Sequence, residues 1–515
     1  LALVPDQSRF LALELEAIFH LGLSAVFTFL LVRQLTKSIG AGMLSGISFG
    51  LSGFLTSYPI LQTPIVEAAT WLPAGLWLAE LSLTHRTLKF AAIAGVSMGF
   101  SILAGHPQTS LYSFLIIGTY VLMRSSTNWK EVRFALIITF VIISIALGLS
   151  ASQWIPSIQL ALLSSRMQLS FSEVSGGFGT NALIGLVRPN TEEWSPLYVG
   201  IVPLLLAMIG LCKRQRETWY WSIICIFSLL LSLGRHGFIY PFIYSLAPNA
   251  ALFRGQERAA FLVCFALVVL AGYGYKHLIL QNWVPKWLLP IFVIIAITDL
   301  FHANYGVILQ KPFEHGFYPH TTAVNYINDQ QGYWRISSEA LLPGGGNAGK
   351  IFHLRDVTGS GPLSLAHYHQ FIGSVPEVRW WQLLNVRYVV TQRQIDYPGV
   401  NLIANITPDR VTIYEDIFNH LNETGKRPLV LKLTSLKAGA GSFQKIDFPL
   451  VELVAVFPFQ YLDFKDLVQR TNFSLDSRQT SWVNDAAWKL ELPLLAAYAA
   501  RQAGLIFSTK EKFIE

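Results

Sequence analysis

Apolar runs separated by short polar loops fill residues 1–303, and beyond that point the pattern stops. Ten runs read as transmembrane helices, at 11–32, 41–57, 65–81, 88–104, 108–123, 134–152, 196–212, 219–233, 259–275 and 287–303. Several fall short of the about 20 residues that usually cross a bilayer core. Pro59, Pro64, Pro73 and Pro107 blur their ends, and the second and third runs admit a bent pair or a partial re-entrant element. GAGMLSGISFGLSGF at 40–54 sets small residues on a helical face that another helix can approach closely. Arg254, Glu257 and Arg258 stand immediately before the most continuous run, in LFRGQERAAFLVCFALVVLAGYG at 252–274.

Composition agrees. Of 515 residues, 52% are hydrophobic and 13% charged, against about 25% charged in soluble domains. The formal charge of +7 does not point to nucleic acid, because the basic residues sit in short loops where membrane orientation explains them. One set of loops carries Arg33, Lys37, Arg86, Lys89, Arg124, Lys130, Arg133, Lys213, Arg214, Arg216, Lys276 and Lys286. The alternate set is longer yet sparser, with Arg9, Arg166, Arg188, Arg235, Arg254 and Arg258. The first set is expected to be cytoplasmic, which places everything after residue 303 outside. Leu1 is not methionine, and LALVPDQSRF lacks a basic n-region, so further sequence is expected upstream. Cys212, Cys225 and Cys264 form no CxxC pair, and redox compartment is not readable from them.

Two long outer connections are expected, 153–195 and 234–258. Ala182–Val187 and Phe238–Leu246 within them are apolar but too short to span, which suits interfacial segments. The connections form a pocket over the bundle or simply cover helix ends. A polar domain follows at 304–430, with strands expected in YWRISSE, KIFHLRDV, VRYVVTQRQ, NLIANI and VTIYED. The 431–515 extension holds further strand-like pieces, LKLTSL and VELVAVF, and LELPLLAAYAARQAGLIF at 490–507, which admits an interfacial or membrane helix. The expected fold is a polytopic α-helical membrane bundle of about ten spans followed by an extracytoplasmic mixed α/β or mostly β domain.

PGGGNAGK at 343–350 lacks the phosphate-loop pattern because Ile351 follows Lys350, so it reads as a flexible loop. His367 and His369 are two apart, and no third ligand for a metal is evident. Packing or contact with a glycan acceptor is the alternative for that histidine segment.

The chain resembles the YfhO-like family of bacterial multi-pass membrane proteins, related to the GT-C glycosyltransferase fold. The resemblance rests on ISFGLSGF at 47–54, Trp71-Leu72-Pro73, LAGHPQTSLYSFL at 103–115, WIPSIQLA at 154–161 and LYVGIVPLLLA at 197–207. It continues through SLGRHGFIYPFIYSLAPNAALFRGQERAAFLVCFALVVLAG at 232–272, LRDVTGSGPLSLAHYHQF at 354–371 and LLNVRYVVT at 383–391. It implies a bacterial inner-membrane enzyme that moves a sugar from a polyprenyl-phosphate carrier to an outer-face envelope glycan. The family acid lies in the first outer loop, ahead of the first span seen here, and is not assignable. A divalent cation is compatible with such chemistry but has no assignable ligands, and no protein partner is implied.

Such a transfer needs a base near the acceptor hydroxyl and positive charge near the departing phosphate. Glu14, Glu16 and Glu67 are the candidate acids near outer helix ends. Glu14 and Glu16 do not share a helical face, whereas Glu16 and His20 do. Arg254 and Arg258, four apart on a helix start, form a candidate phosphate clamp, with Glu257 placed to pair or to cap. Arg235 and Arg188 approach from the loops, and His106 sits in a tight turn between Gly105 and Pro107. For each arginine, a structural ion pair or a lipid-headgroup anchor is the competing reading. Two other functions remain open: a non-enzymatic transporter or factor that helps export or assemble lipid-linked glycans, and a truncated inactive family member. A transporter should show charges in mid-span and broken helices in repeated halves.

Overall fold

A computed structural model describes residues 9–57, 62–125, 128–189, 195–211, 215–246, 252–281, 284–308, 318–330, 332–361, 363–397, 400–406, 411–416, 429–431 and 455–457. The chain divides into two compact units, Leu1–Leu162 with Arg166–Phe317, and Leu163–Ser165 with Tyr318–Glu515.

The first unit is helical. It runs α1 (Arg9–Thr36), α2 (Ile39–Gly50), α3 (Gly53–Thr56), α4 (Thr63–His85), α5 (Leu88–Leu103), α6 (Pro107–Ser125) and α7 (Trp129–Leu149). It continues through α8 (Ala151–Leu162), α9 (Phe171–Val174), α10 (Ile201–Leu211), α11 (Arg216–Ser232), α12 (Ile239–Leu246), α13 (Ala260–Gln281) and α14 (Leu289–Ile308). Each of the ten expected runs falls on one or two of these helices. Among the described residues four helical stretches are long and apolar enough to cross a membrane: Leu11–Thr36, Ile39–Thr56, Trp129–Leu149 and Gln256–Gln281. Leu88–Leu103, Ile201–Leu211 and Leu289–Tyr305 are apolar but shorter.

α13 is apolar all round because the bundle surrounds it: 94% of its apolar window is buried, against 22% for α1 and α7. It packs on α2, α10 and α11. Gly210 and Gly274 let α10 and α13 touch backbone to backbone, since a Cβ at either would strike a carbonyl of the other helix. The small-residue face of α2 works the same way, with Gly46 seated against the backbone of α1 at Ala25. Ser45 adds a bond to Val268 O on α13 (2.6 Å). A helix break at Leu51–Ser52, between α2 and α3, falls inside the second run rather than between the second and third.

The connection expected over 153–195 begins as helix, because α8 carries the chain to Leu162. α8 buries no residue. The two segments expected to be interfacial are a 3₁₀ turn at Thr180–Leu186, with Val187 after it, and α12, and both leave apolar side chains exposed, notably Ile184, Val187, Phe242 and Leu246.

The second unit is mixed α/β. β1 (Arg335–Ser337), β2 (Val386–Thr391), β3 (Val400–Ile406) and β4 (Val411–Asp416) form a sheet in the order β1-β2-β4-β3, with β1 and β2 parallel and the other pairs antiparallel. Every residue of β2 is buried, which explains its near-continuous apolar sequence VRYVVT. Tyr388 and Val390 pack with Val324 and Ile327 of the helix Thr322–Asn328, while Val389 joins Trp380 and Trp381 of Glu377–Leu383. KIFHLRDV is not the expected strand. Ala348–Ile351 makes a helical turn, His353 turns the chain at φ 55°, and a single bridge links Asp356 to Ile336. Leu429–Leu431 pairs antiparallel with Ala455–Phe457; the second strand lies in the expected VELVAVF, whereas the first shares only Leu431 with LKLTSL, whose other residues lie outside the described ones. The apolar stretch at 490–507 lies outside the described residues.

Candidate functional site

Three loops at one end of the bundle are stitched by backbone bonds. Arg235 N–H donates to Ser175 O (2.9 Å), Phe178 N–H to Ser232 O (2.9 Å) and Gln256 N–H to Gly176 O (2.8 Å). Gly234, at φ 53°, faces the carbonyls of Ser175 and Gly176 so closely that a Cβ there would collide with both. The two long connections and the entrance of α13 therefore make one scaffold.

Arg258 is fixed on it by a chain of polar groups. Its Nη1 donates to Arg254 O (2.8 Å) and to Gln108 Oε1 (3.1 Å). Gln108 Nε2 donates to the Tyr112 hydroxyl (3.0 Å), which donates to Gln256 Oε1 (3.2 Å), and Gln256 Nε2 ends the chain on Phe253 O (3.0 Å). Gln108 and Gln256 are buried, so the relay is rigid at both amides. Arg258 Nε is buried without a hydrogen-bond partner among the described residues.

Arg254 and Arg258 do not share a helical face as their spacing predicts. Gly255 has φ 74° and a 3₁₀ turn, Gln256–Ala259, precedes α13, so Arg258 reaches back to the carbonyl of Arg254. The Glu257 carboxylate folds over Gly255, 2.6 Å from where a Cβ would stand. Arg166 donates from Nε to Leu252 O (3.1 Å) and is close enough to Arg254 and Arg258 to feel both charges. Burial first, and then those two guanidiniums, press its pKa down.

His106 completes the cluster from the α5–α6 turn, where Gly105 has φ 83°. Its Nδ1 accepts from Thr109 N–H (3.3 Å) and meets Thr109 Oγ1 (2.7 Å), which caps the start of α6. Burial, then Arg258 and Arg166, lower its pKa to about 3, so the ring is neutral at neutral pH.

The other candidates lie apart from this network among the described residues. Arg235 and Arg188 are exposed. Glu14 is exposed on α1, whereas Glu16, His20 and Glu67 come together where α1 meets α4. His20 Nδ1 lies 2.8 Å from Glu16 O, and Thr70 Oγ1 on α4 bonds His20 O (3.2 Å). In the second unit, Gly346 lies against Ser360, whose N–H bonds Gly346 O (2.9 Å), so the glycine-rich loop is packed. His367 is half-buried and His369 exposed. Among the described residues no group of three or more His, Cys, Asp or Glu side chains is arranged to hold a metal.

Sequence reasoning passed over Gln108, Tyr112, Gln256 and Arg166 as participants. It also passed over a second network at the opposite end of the bundle. Glu80, 4% exposed on α4, takes both Arg124 Nη2 (2.8 Å) and Arg124 Nε (3.1 Å) and also the Tyr120 hydroxyl (2.8 Å). Arg124 Nη1 donates to Glu217 (2.9 Å). A third unforeseen acid, Asp299 on α14, accepts from Tyr198 Oη (2.7 Å) and from Ile201 N–H at the start of α10 (2.8 Å). The signal for Glu80 and Asp299 was available, since a carboxylate within an apolar run needs a partner.

No protein-family model matches the chain, and no curated protein matches its sequence.

Proposed function

We propose that the arginine-bearing end of the bundle binds the phosphate of a polyprenyl-phosphate-linked sugar, and that the chain is a GT-C-like glycosyltransferase of the bacterial inner membrane acting on an outer-face envelope glycan. The observation that carries the binding half is the grouping of Arg166 with Arg254 and Arg258, anchored on Leu252 O and Arg254 O, with neutral His106 beside Arg258 and Arg166. Guanidiniums held this close repel one another, and a phosphate or pyrophosphate between them relieves the repulsion through charge-assisted hydrogen bonds. The exposed apolar side chains of α12 and of the 180–186 turn give a lipid tail a surface beside the charged end. The loops at the opposite end carry the denser basic set, which supports an extracytoplasmic arginine cluster and, with it, an extracytoplasmic second unit.

The transfer half rests on the resemblance and on Glu16 and Glu67, the half-buried carboxylates nearest to serving as a base, with exposed Glu14 beside them. None of the three is joined to the arginine network among the described residues, which favours the second reading: a protein that binds lipid-linked glycans for export or assembly without turning them over. Titrating polyprenyl phosphate into the detergent-solubilised chain tests the binding half. Converting both Arg254 and Arg258 to Ala should weaken binding by about a hundredfold, from the loss of two charged hydrogen-bonding groups. Unchanged affinity in a normally folded variant would sink it. Incubating membranes with a panel of polyprenyl-phosphate sugars tests the transfer half. Binding without transfer from any donor would leave the second reading.

A further inference from the structure

The end of the bundle opposite the arginine cluster contains a cavity of about 520 Å³ that the proposed function does not use. We propose that it is a separate anion site for a phosphate monoester or diester group. Its volume falls within the about 300–1,000 Å³ typical of small-ligand pockets. Four cations, Lys37, Arg124, Arg216 and Lys276, line it against two carboxylates, Glu80 and Glu217. Arg124 is already committed to both carboxylates. Lys37, Arg216 and Lys276 have no ion pair or side-chain hydrogen bond among the described residues, so the concavity has an excess of positive charge directed at empty volume.

The fold places these cations deliberately. Lys37 follows α1 in the left-handed region, at φ 57°, with its N–H closing on Arg33 O (2.8 Å). Lys276 comes from the far end of α13, and Arg216 begins α11, whose N-terminal turn also faces the cavity through Gln215 and Glu217. A helix N-terminus adds partial positive charge. The Glu80–Arg124–Tyr120 network forms a rigid wall behind them. A singly or doubly charged phosphate would balance the excess, and the ammonium and guanidinium groups supply its hydrogen bonds. That phosphate belongs either to a membrane-lipid headgroup or to a soluble phosphate ester.

The test uses the full chain in phosphatidylcholine nanodiscs doped with spin-labelled phosphatidic acid, reading the immobilised lipid fraction. It is run in the Arg254→Gln/Arg258→Gln background, so that failure of the arginine-cluster proposal does not affect it. Adding Lys37→Gln, Arg216→Gln and Lys276→Gln should weaken retention by about a hundredfold, because several charge-assisted bonds go at once. Lys37→Arg with Lys276→Arg should retain it, which separates loss of charge from loss of fold. Equal retention in the triple variant, or loss in the charge-conserving one, overturns the site. Displacement of the label by millimolar glycerol 3-phosphate identifies a soluble ester as the occupant, and resistance to displacement identifies the lipid. Either outcome sustains the site.

Discussion

Arginine serves both ends of the same helical bundle, in opposite electrostatic settings. At one end Arg124 is held by carboxylates, Glu80 on one side and Glu217 on the other, with the Tyr120 hydroxyl on Glu80 as well. At the other end the guanidiniums of Arg166 and Arg258 donate to neutral carbonyl oxygens, at Leu252, Arg254 and Gln108, and lie within reach of one another's charge. A buried charge that meets its counter-charge inside the protein stabilises one arrangement of helices and has little left to offer a ligand. Like charges grouped this way repel one another, and a bound anion between them relieves that repulsion. The first arrangement is a structural lock. The second is the proposed receptor.

The comparison is easiest to break at the lock. Glu80→Ala leaves Arg124 and the Tyr120 hydroxyl without their main acceptor, and removing one partner of a buried pair costs about 3–5 kcal/mol. A large fall in thermal stability in detergent is expected, with Glu80→Gln intermediate because its amide oxygen still accepts from Tyr120. A Glu80→Ala protein as stable as the parent would show that the network is incidental.

The receptor end should respond to acid instead. His106 is neutral in the fold with a pKa of about 3 and takes up its proton near 6.5 when unfolded. The unfolded chain therefore binds more protons between those values. The stability that His106 contributes is complete above about pH 6.5 and is lost as pH falls toward 3. Relative to a His106→Gln variant, the parent should show a slope of about one proton in its stability profile over that window. Parallel profiles would place His106 in a solvated site remote from the arginines. Tyr112→Phe comes next in size: it breaks the relay that fixes Arg258, at about 1 kcal/mol for a lost internal hydrogen bond.

Much of the bundle was legible because length and continuity of apolar runs are local properties. α13 announces itself as the buried centre by being apolar all round, and VRYVVT does the same for the central strand β2. KIFHLRDV shows the limit, since a short apolar-rich piece reads equally as strand or helical turn, and here the turn at His353 decides. The charged entrance LFRGQER was visible, but its geometry was not: Gly255 turns the chain where an i, i+4 pair was expected. The relay is carried by Gln108, Tyr112 and Gln256, neutral residues with no charge to mark them, and Gln108 meets Arg258 across 150 positions of sequence. Arg124 looked like one more orientation-setting base, because its partner Glu80 lies 44 positions away inside an apolar run. Spacing rules reach along a helix, whereas both networks are closed by tertiary packing.

The smallest expected effect sharpens the comparison most. Arg254 is exposed, and its guanidinium adds to the positive charge felt by Arg166. Exposed substitutions away from special features change stability by no more than about 0.5 kcal/mol. Arg254→Gln should stay within that range, and the sign should be stabilising, because one of three like charges is removed and the Arg254 carbonyl that holds Arg258 is kept. Thermal unfolding at low salt reads the sign directly. Added salt should shrink the difference, since screening relieves the same repulsion in the parent. A destabilised Arg254→Gln protein would mean that this end, too, already contains its counter-charge, and the distinction between lock and receptor would fail.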